Sequence, residues 1–228
     1  MADDTSTTTT ETAAGPPARG QRFPRTELGK FVSRRTGDLQ RDYLRDKSSA
    51  RGALAQLRRT VGHPVGSDPV AWAIVFDGFP EALVGRTDEP SRAERAAYAA
   101  LGLFAVHMQS ATREVHRPGV GLGVAVRQLA SPSDGADRDK PVMRRFQALG
   151  TADVFEEALH HARGLIQQFR HPPEGRPPIA LDYGLLAEDL ADLQNPARRD
   201  AARLRWARDL YVRAQYDTTT PTDTQESK

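Results

Sequence analysis

Apolar residues recur at spacings of three and four along most of this chain, and few runs alternate with a period of two. That pattern predicts helices. Thr26 caps the first, whose apolar positions are Leu28, Phe31, Val32, Leu39 and Tyr43. Ser48 or Ser49 caps a second with Ala50, Leu54, Leu57 and Val61 on one side. Asp68-Pro69 starts a third, since an aspartate accepts from free amides and a proline fits the first turn. It is expected to bury some of Val70, Trp72, Ala73, Val75 and Phe76 before ending near Gly78.

Ser91-Arg92-Ala93-Glu94 has the form of a capping box, followed by Ala97, Tyr98, Leu101, Phe104, Met108 and Ala111 along one face. Gly119 to Ala130 reads as a short buried helix with close backbone approach at Gly121 and Gly123. A polar loop, Ser131 to Asp139, leads into Pro141 to Leu149. Thr151 is expected to cap a helix to about Arg170, with Val154, Phe155, Ala158, Leu165, Ile166 and Phe169 inward. The proline-rich stretch to Pro178 must break it. Asp182 then caps Leu185 to Leu193, and Asn195-Pro196 restarts a last helix to about Gln215. Isoleucine and valine are too sparse for a sheet. The expected fold is all-α, two packed helical bundles spanning 25–131 and 132–216 and hinged near Ser131 to Asp139. Tails 1–24 and 217–228 are polar, bury too little to offset their ordering entropy, and are expected to be disordered.

Charge sharpens this picture. The net formal charge is +2, but residues 1–18 and 217–228 carry six acids and one lysine, which leaves 31 basic and 24 acidic side chains between them. Of the 32 basic residues, 28 are arginine. A guanidinium suits phosphate oxygens and never deprotonates at working pH. Two segments concentrate it. In Ser49 to Arg59, Arg51 and Arg58 flank the apolar stripe, Arg59 turns toward solvent and Lys47 approaches the same edge. Positions 48–67 contain no Asp or Glu, which favours an external anion over internal ion pairs. In the second segment Lys140 stands at a helix start, where free amides already attract anions; Arg144 projects on its side, and Arg145 sits at the boundary. Lys140, Arg144 and Arg138 could hold one or two successive phosphates. Arg127, His160, His161, Arg163 and Arg170 are weaker candidates. The arginines from Arg198 to Arg208 alternate with Asp200 and Asp209, a pattern that is mostly structural.

Chemistry is harder to find. No cysteine is present, so disulfides, thiolate metal sites and a cysteine nucleophile are excluded. The adjacent His160 and His161 lack the spacing of a helical metal site. Gly119-Val120-Gly121-Leu122-Gly123 follows no strand, so it is not a nucleotide fingerprint. The expectation is a non-catalytic protein without cofactor or metal. No stretch suits a membrane span or a secretory signal, so a cytoplasmic location is expected.

Several of these stretches, in their order, resemble the small subunit, often called CasB, of the type I-E CRISPR Cascade complex. They are Ala55-Gln56-Leu57-Arg58-Arg59, Gly119 to Gly123, Val142-Met143-Arg144-Arg145-Phe146-Gln147-Ala148-Leu149, Thr151-Ala152-Asp153 and the closing Leu185-to-Tyr211 helices. The resemblance spans roughly Arg25 to Tyr216. It implies a two-lobed all-α subunit, present in two copies head to tail inside an RNA-guided complex. It further implies contacts with backbone and large subunits, with guide RNA, and with the target and displaced DNA strands. Base pairing would choose the sequence, so such a subunit reads phosphate. Arg58, Arg59, Arg144 and Arg145 carry over by motif; Arg51, Arg127 and Lys140 follow from their faces. His160 and His161 stand where the family is often basic. Two rival readings stand beside it: a helical adaptor or oligomerisation module whose arginines pair with acidic partners, and a free-standing transcription regulator reading base edges.

Overall fold

A computed structural model describes Pro24 and residues 26–130, 141–172 and 176–212. Among them the chain is all-α, with nine α-helices. These are α1 (Glu27–Leu44), α2 (Ser48–Arg59), α3 (Pro69–Phe76), α4 (Arg92–His107), α5 (Leu122–Ala130), α6 (Pro141–Thr151), α7 (Phe155–Arg170), α8 (Tyr183–Leu193) and α9 (Arg199–Ala207). A π turn, Arg208–Val212, extends α9. The expected tails, as far as Phe23 and from Asp217, and the Ser131 to Asp139 hinge lie outside the described residues, as do Arg138 and Lys140.

Capping chemistry sets most helix starts. Thr26 accepts from Gly29 N–H, Asp68 from Val70 N–H, and Ser91 and Glu94 complete a reciprocal capping box. Asp182 accepts from the amides of both Gly184 and Leu185. Three expectations need correction. Lys47, with no side-chain cap, precedes α2 rather than a serine. Thr151 ends α6, its hydroxyl bonding back to the carbonyls of Gln147 and Ala148, and Val154 takes the position before α7. Val154, expected inward, is 57% exposed. Backbone carbonyls one turn back won the competition for the threonine hydroxyl.

The apolar stripe expected on α4 is in fact a helix buried all round: every residue from Ala96 to His107 is buried. Alanines at 96, 97, 99, 100 and 105 and Gly102 keep it narrow, so α1, α2, α7 and α8 can all lie against it. One bundle holds α1 to α4 together with α8, which returns from late in the sequence to pack on α1 and α4. The other holds α5, α6, α7, α9 and the π turn. Contacts of α4 with α7 and of α8 with α9 join the two into one continuous core. The α1–α8 crossing is tight, because a Cβ on Gly184 would stand 2.4 Å from the Gly29 carbonyl. At Gly123, where close approach was expected, a Cβ would meet the Trp206 carbonyl at 2.3 Å.

A buried polar seam locks that return. Gln40 accepts from the amides of Val115 and His116 at 2.9 and 2.7 Å and donates to the His116 carbonyl. His116 Nδ1 accepts from the Tyr183 amide, which leaves the proton on Nε2, 3.2 Å from the Ser33 hydroxyl. Asp182 also accepts from Gly119 N–H, and Tyr183 pairs its hydroxyl with His107 Nδ1 at 2.9 Å. A single parallel bridge, His116 to Leu181, completes the seam. Each of these buried polar groups would be costly to leave alone, so together they specify one register for α8.

Burial holds His116 down to about 4 and His107 down to about 3, below the ordinary imidazole value. Both are neutral in the fold at pH 7, whereas the unfolded chain gains protons below about pH 6.5. Stability is therefore unaffected above that value and lost as pH falls toward 4. In urea unfolding between about pH 7.5 and 4.5, His116→Asn is expected to lose less stability on acidification than the native chain, by up to about 1.4 kcal/mol per pH unit. Parallel acid profiles for the two proteins would contradict this.

Candidate nucleic-acid interface

The arginines divide into those used inside the fold and those displayed. The α8–α9 corner uses its own. Asp189, fully buried, accepts from Arg205 Nε and Nη2 at 3.0 and 2.8 Å and from Trp206 Nε1 at 2.7 Å. Arg205 also reaches Asp192 at 2.6 Å, which takes Arg198 as well. Arg203 donates to the Ala152 carbonyl and pairs with Asp200 at 3.5 Å. The structural role expected for this stretch is what the geometry shows.

Among the candidates, Lys47 and Arg51 are not free of counter-ions. Lys47 pairs with Asp42 at 2.9 Å, and Arg51 with Asp46. Both partners lie just upstream of the acid-free window 48–67, at the end of α1 and in the turn before α2. Arg127 is half-buried and donates to the Asp209 carbonyl at 3.1 Å, tying α5 to the π turn. His161 faces Glu157 at 3.7 Å, one turn back, with its ring 5.4 Å from that of His160.

The remaining candidates gather around α7. At 100° per residue, Arg163 and Arg170 share one edge of its outer face, roughly 10 Å apart along the axis. His160 and Gly164 lie in the middle of that face. Arg145 crosses from α6 at Gly164: a Cβ there would stand 2.6 to 2.7 Å from the Arg145 side chain. Gly164 thus opens a lane for a guanidinium, a feature that apolar periodicity does not register. Arg144, one position earlier, is exposed.

At the carboxyl end of α7, Arg170 donates to the Gln109 carbonyl and to its side-chain oxygen, both at 3.0 Å. Burial and the nearby Arg58 charge push the Arg170 guanidinium below its ordinary value. Like charges that act on one another in this way favour an added anion. Arg59 is exposed beside Arg58. Arg163 and His160 also line a cleft of about 690 Å³ shared with residues 60–65, 88–90 and α4. Among the described residues no cluster of His, Cys, Asp or Glu could hold a metal, and no helix is long and apolar enough to cross a membrane.

The internal pairs give a direct stability test. Asp189→Ala would leave the Trp206 N–H without its acceptor and Arg205 with Asp192 alone, and thermal or urea unfolding should show a loss of about 1–3 kcal/mol. Near-native stability would mean the α8–α9 corner is held by packing alone.

The model of the CRISPR-associated protein Cse2 family matches residues 53–211. The crystal structure of CasB from Thermobifida fusca is similar, with 32% identity and a TM-score of 0.68, covering 81% of this chain and 98% of that one. A Cse2-family CRISPR-associated protein from Thermus thermophilus (24% identity, TM-score 0.57) and M. ruber CasB (21%, 0.52) share the fold. They cover 81% and 82% of this chain and 97% and 98% of their own. Among curated proteins none matches the chain significantly. With two thirds of its length under the family model and its helices superimposing on a relative at 32% identity, the chain belongs to the Cse2 (CasB) family, the small subunits of the CRISPR Cascade complex.

Proposed function

We propose that this chain holds nucleic acid by its phosphate backbone within a type I-E RNA-guided surveillance complex, stabilising the guide RNA–target DNA R-loop without acting chemically on it. The observation that carries the reading is the set of arginines on and beside α7: Arg58 acts on Arg170, Arg145 crosses at Gly164, and Arg163 shares an edge with Arg170, while the acids of that helix, Glu156 and Glu157, stand in its first turn. Arg59 and Arg144, exposed and adjacent in sequence to Arg58 and Arg145, serve the same strand in this reading. Lys140 and Arg138, in the segment leading to α6, join them in the same role. Because these guanidinium groups come from three helices packed together, α2, α6 and α7, and not from one helix free to enter a groove, the contact is to backbone and not to base edges.

Within the complex the partners are the target and displaced DNA strands, the guide RNA, the backbone and large subunits and a second copy of this chain, all in the cytoplasm. Lys47, Arg51 and Arg127, already engaged, contribute less than their position suggests, because a strand must compete with an existing partner for each of them. His160 and His161 add hydrogen-bonding groups beside the α7 arginines.

Binding of the full chain to single-stranded DNA should weaken with salt at a slope of about −0.7 per phosphate held. Changing Arg58, Arg59, Arg144 and Arg145 together to alanine is expected to flatten that slope by about two to three, roughly 0.7 for each phosphate released. A slope unchanged by the substitutions, or an absence of binding to any strand, would favour an adaptor for acidic proteins instead. Lys47→Ala with Arg51→Ala should flatten it by less than about one, because in each case a local carboxylate already screens the charge. A larger effect would show that those ion pairs open when a strand arrives.

A further inference from the structure

A second basic surface lies on α1, made of different residues from the α7 face and placed before residue 53, where the family match begins. Counted at 100° per residue, Lys30, Arg34, Arg41 and Arg45 fall within an arc of roughly 60° on the outward side of the helix. All four are exposed, and among the described residues only Arg41 has a carboxylate partner, Asp38 at 2.7 Å. Arg34, Arg41 and Arg45 form one bank of an open groove of about 580 Å³. The other bank is the segment from Glu114 to Pro118, held rigidly against α1 by the three Gln40 hydrogen bonds and the His116–Ser33 contact. The floor between them is bare: a Cβ built on Gly37 would meet nothing within 4 Å.

Charge in and around this groove is unbalanced. The lining carries Arg34, Arg41 and Arg45 against Asp38 and Glu114, and Asp42, paired with Lys47, lies near Arg41 and Arg45 at its edge. Apolar lining is limited to Leu44 and Pro118, so the groove offers no pocket to anchor the side chains of an acidic peptide. From Ser33 to Arg45 it runs about 18 Å, the length of roughly five phosphates of a stacked strand.

We propose that this α1 groove is a second binding site for a single-stranded phosphodiester backbone, separate from the α7 face, gripped by Arg34, Arg41 and Arg45 over the bare turn at Gly37. The inference rests on the strand-holding reading above but concerns different residues, so the two can fail separately. It gives the subunit two grips on nucleic acid from two different helices, which restricts the path a strand can take around it.

Gly37 supplies a test that spares the fold. Gly37→Glu adds a carboxylate to the floor at a position whose Cβ meets nothing, with better helix propensity than glycine, and Gly37→Gln adds the same bulk without charge. Thermal unfolding of both full-length variants should match or exceed the native chain. In fluorescence anisotropy with a dye-labelled oligothymidine strand of roughly 20 nucleotides, Gly37→Glu is expected to weaken binding about fivefold at low salt, with Gly37→Gln near native. Changing Arg34, Arg41 and Arg45 to glutamine should reduce the salt slope by about two. Equal affinities for the Glu and Gln variants, with the native slope kept in the triple variant, would overturn the groove. If the Arg58, Arg59, Arg144 and Arg145 alanine set abolished binding in that same experiment, the α7 face would stand without it.

Discussion

Burying α4 on every side is the constraint from which the rest of the molecule follows. A helix with no solvent face can carry no charge along its middle, and Ala96 to His107 carries none apart from a histidine held neutral by its surroundings. Four helices must then close around it, and the last of them, α8, has to come back across the chain. The Gln40, His116, Asp182 and Tyr183 hydrogen bonds make that return specific: a slip in register would bury amides and carboxylate oxygens without partners. The outer helices inherit all the charge that the centre excludes.

What those helices do with their charge differs from place to place. At the α8–α9 corner, arginines are satisfied by Asp189, Asp192 and Asp200, and the charge serves to hold the fold. On α7 the acids, Glu156 and Glu157, sit in the first turn, away from the arginine at its carboxyl end. Arg170 is pinned by Gln109, a neutral residue, with Arg58 alongside; Arg145 is guided across Gly164 rather than toward a carboxylate. Membership of the Cse2 family makes the chain a small subunit of the larger CRISPR Cascade complex.

Much of the scaffold is legible in the sequence because caps and periodicity are local. Thr26, Asp68, the Ser91–Glu94 box and Asp182 each announce a helix through bonds made within three residues. Thr151 misleads because its hydroxyl has two local choices and takes the carbonyls behind it. Asp42 and Asp46 fall just outside the acid-free window, so Lys47 and Arg51 look unpaired until the turn between α1 and α2 is folded. The address of α8, the lane at Gly164 and the wall opposite α1 depend on contacts between residues far apart in sequence. No pattern along the chain could reveal these. The α1 arginines stay hidden for a related reason: interspersed with Asp38 and Asp42, they read as a balanced surface until the helix is wound.

Arginine-specific chemical modification of the chain, read by mass spectrometry with and without bound single strand, tests the central claim most directly. The account predicts that the strand protects Arg58, Arg59, Arg144, Arg145, Arg163 and Arg170, while Arg198, Arg203 and Arg205 react at the same rate with and without it. Protection confined to the α8–α9 corner, or none at the α7 face, would contradict it.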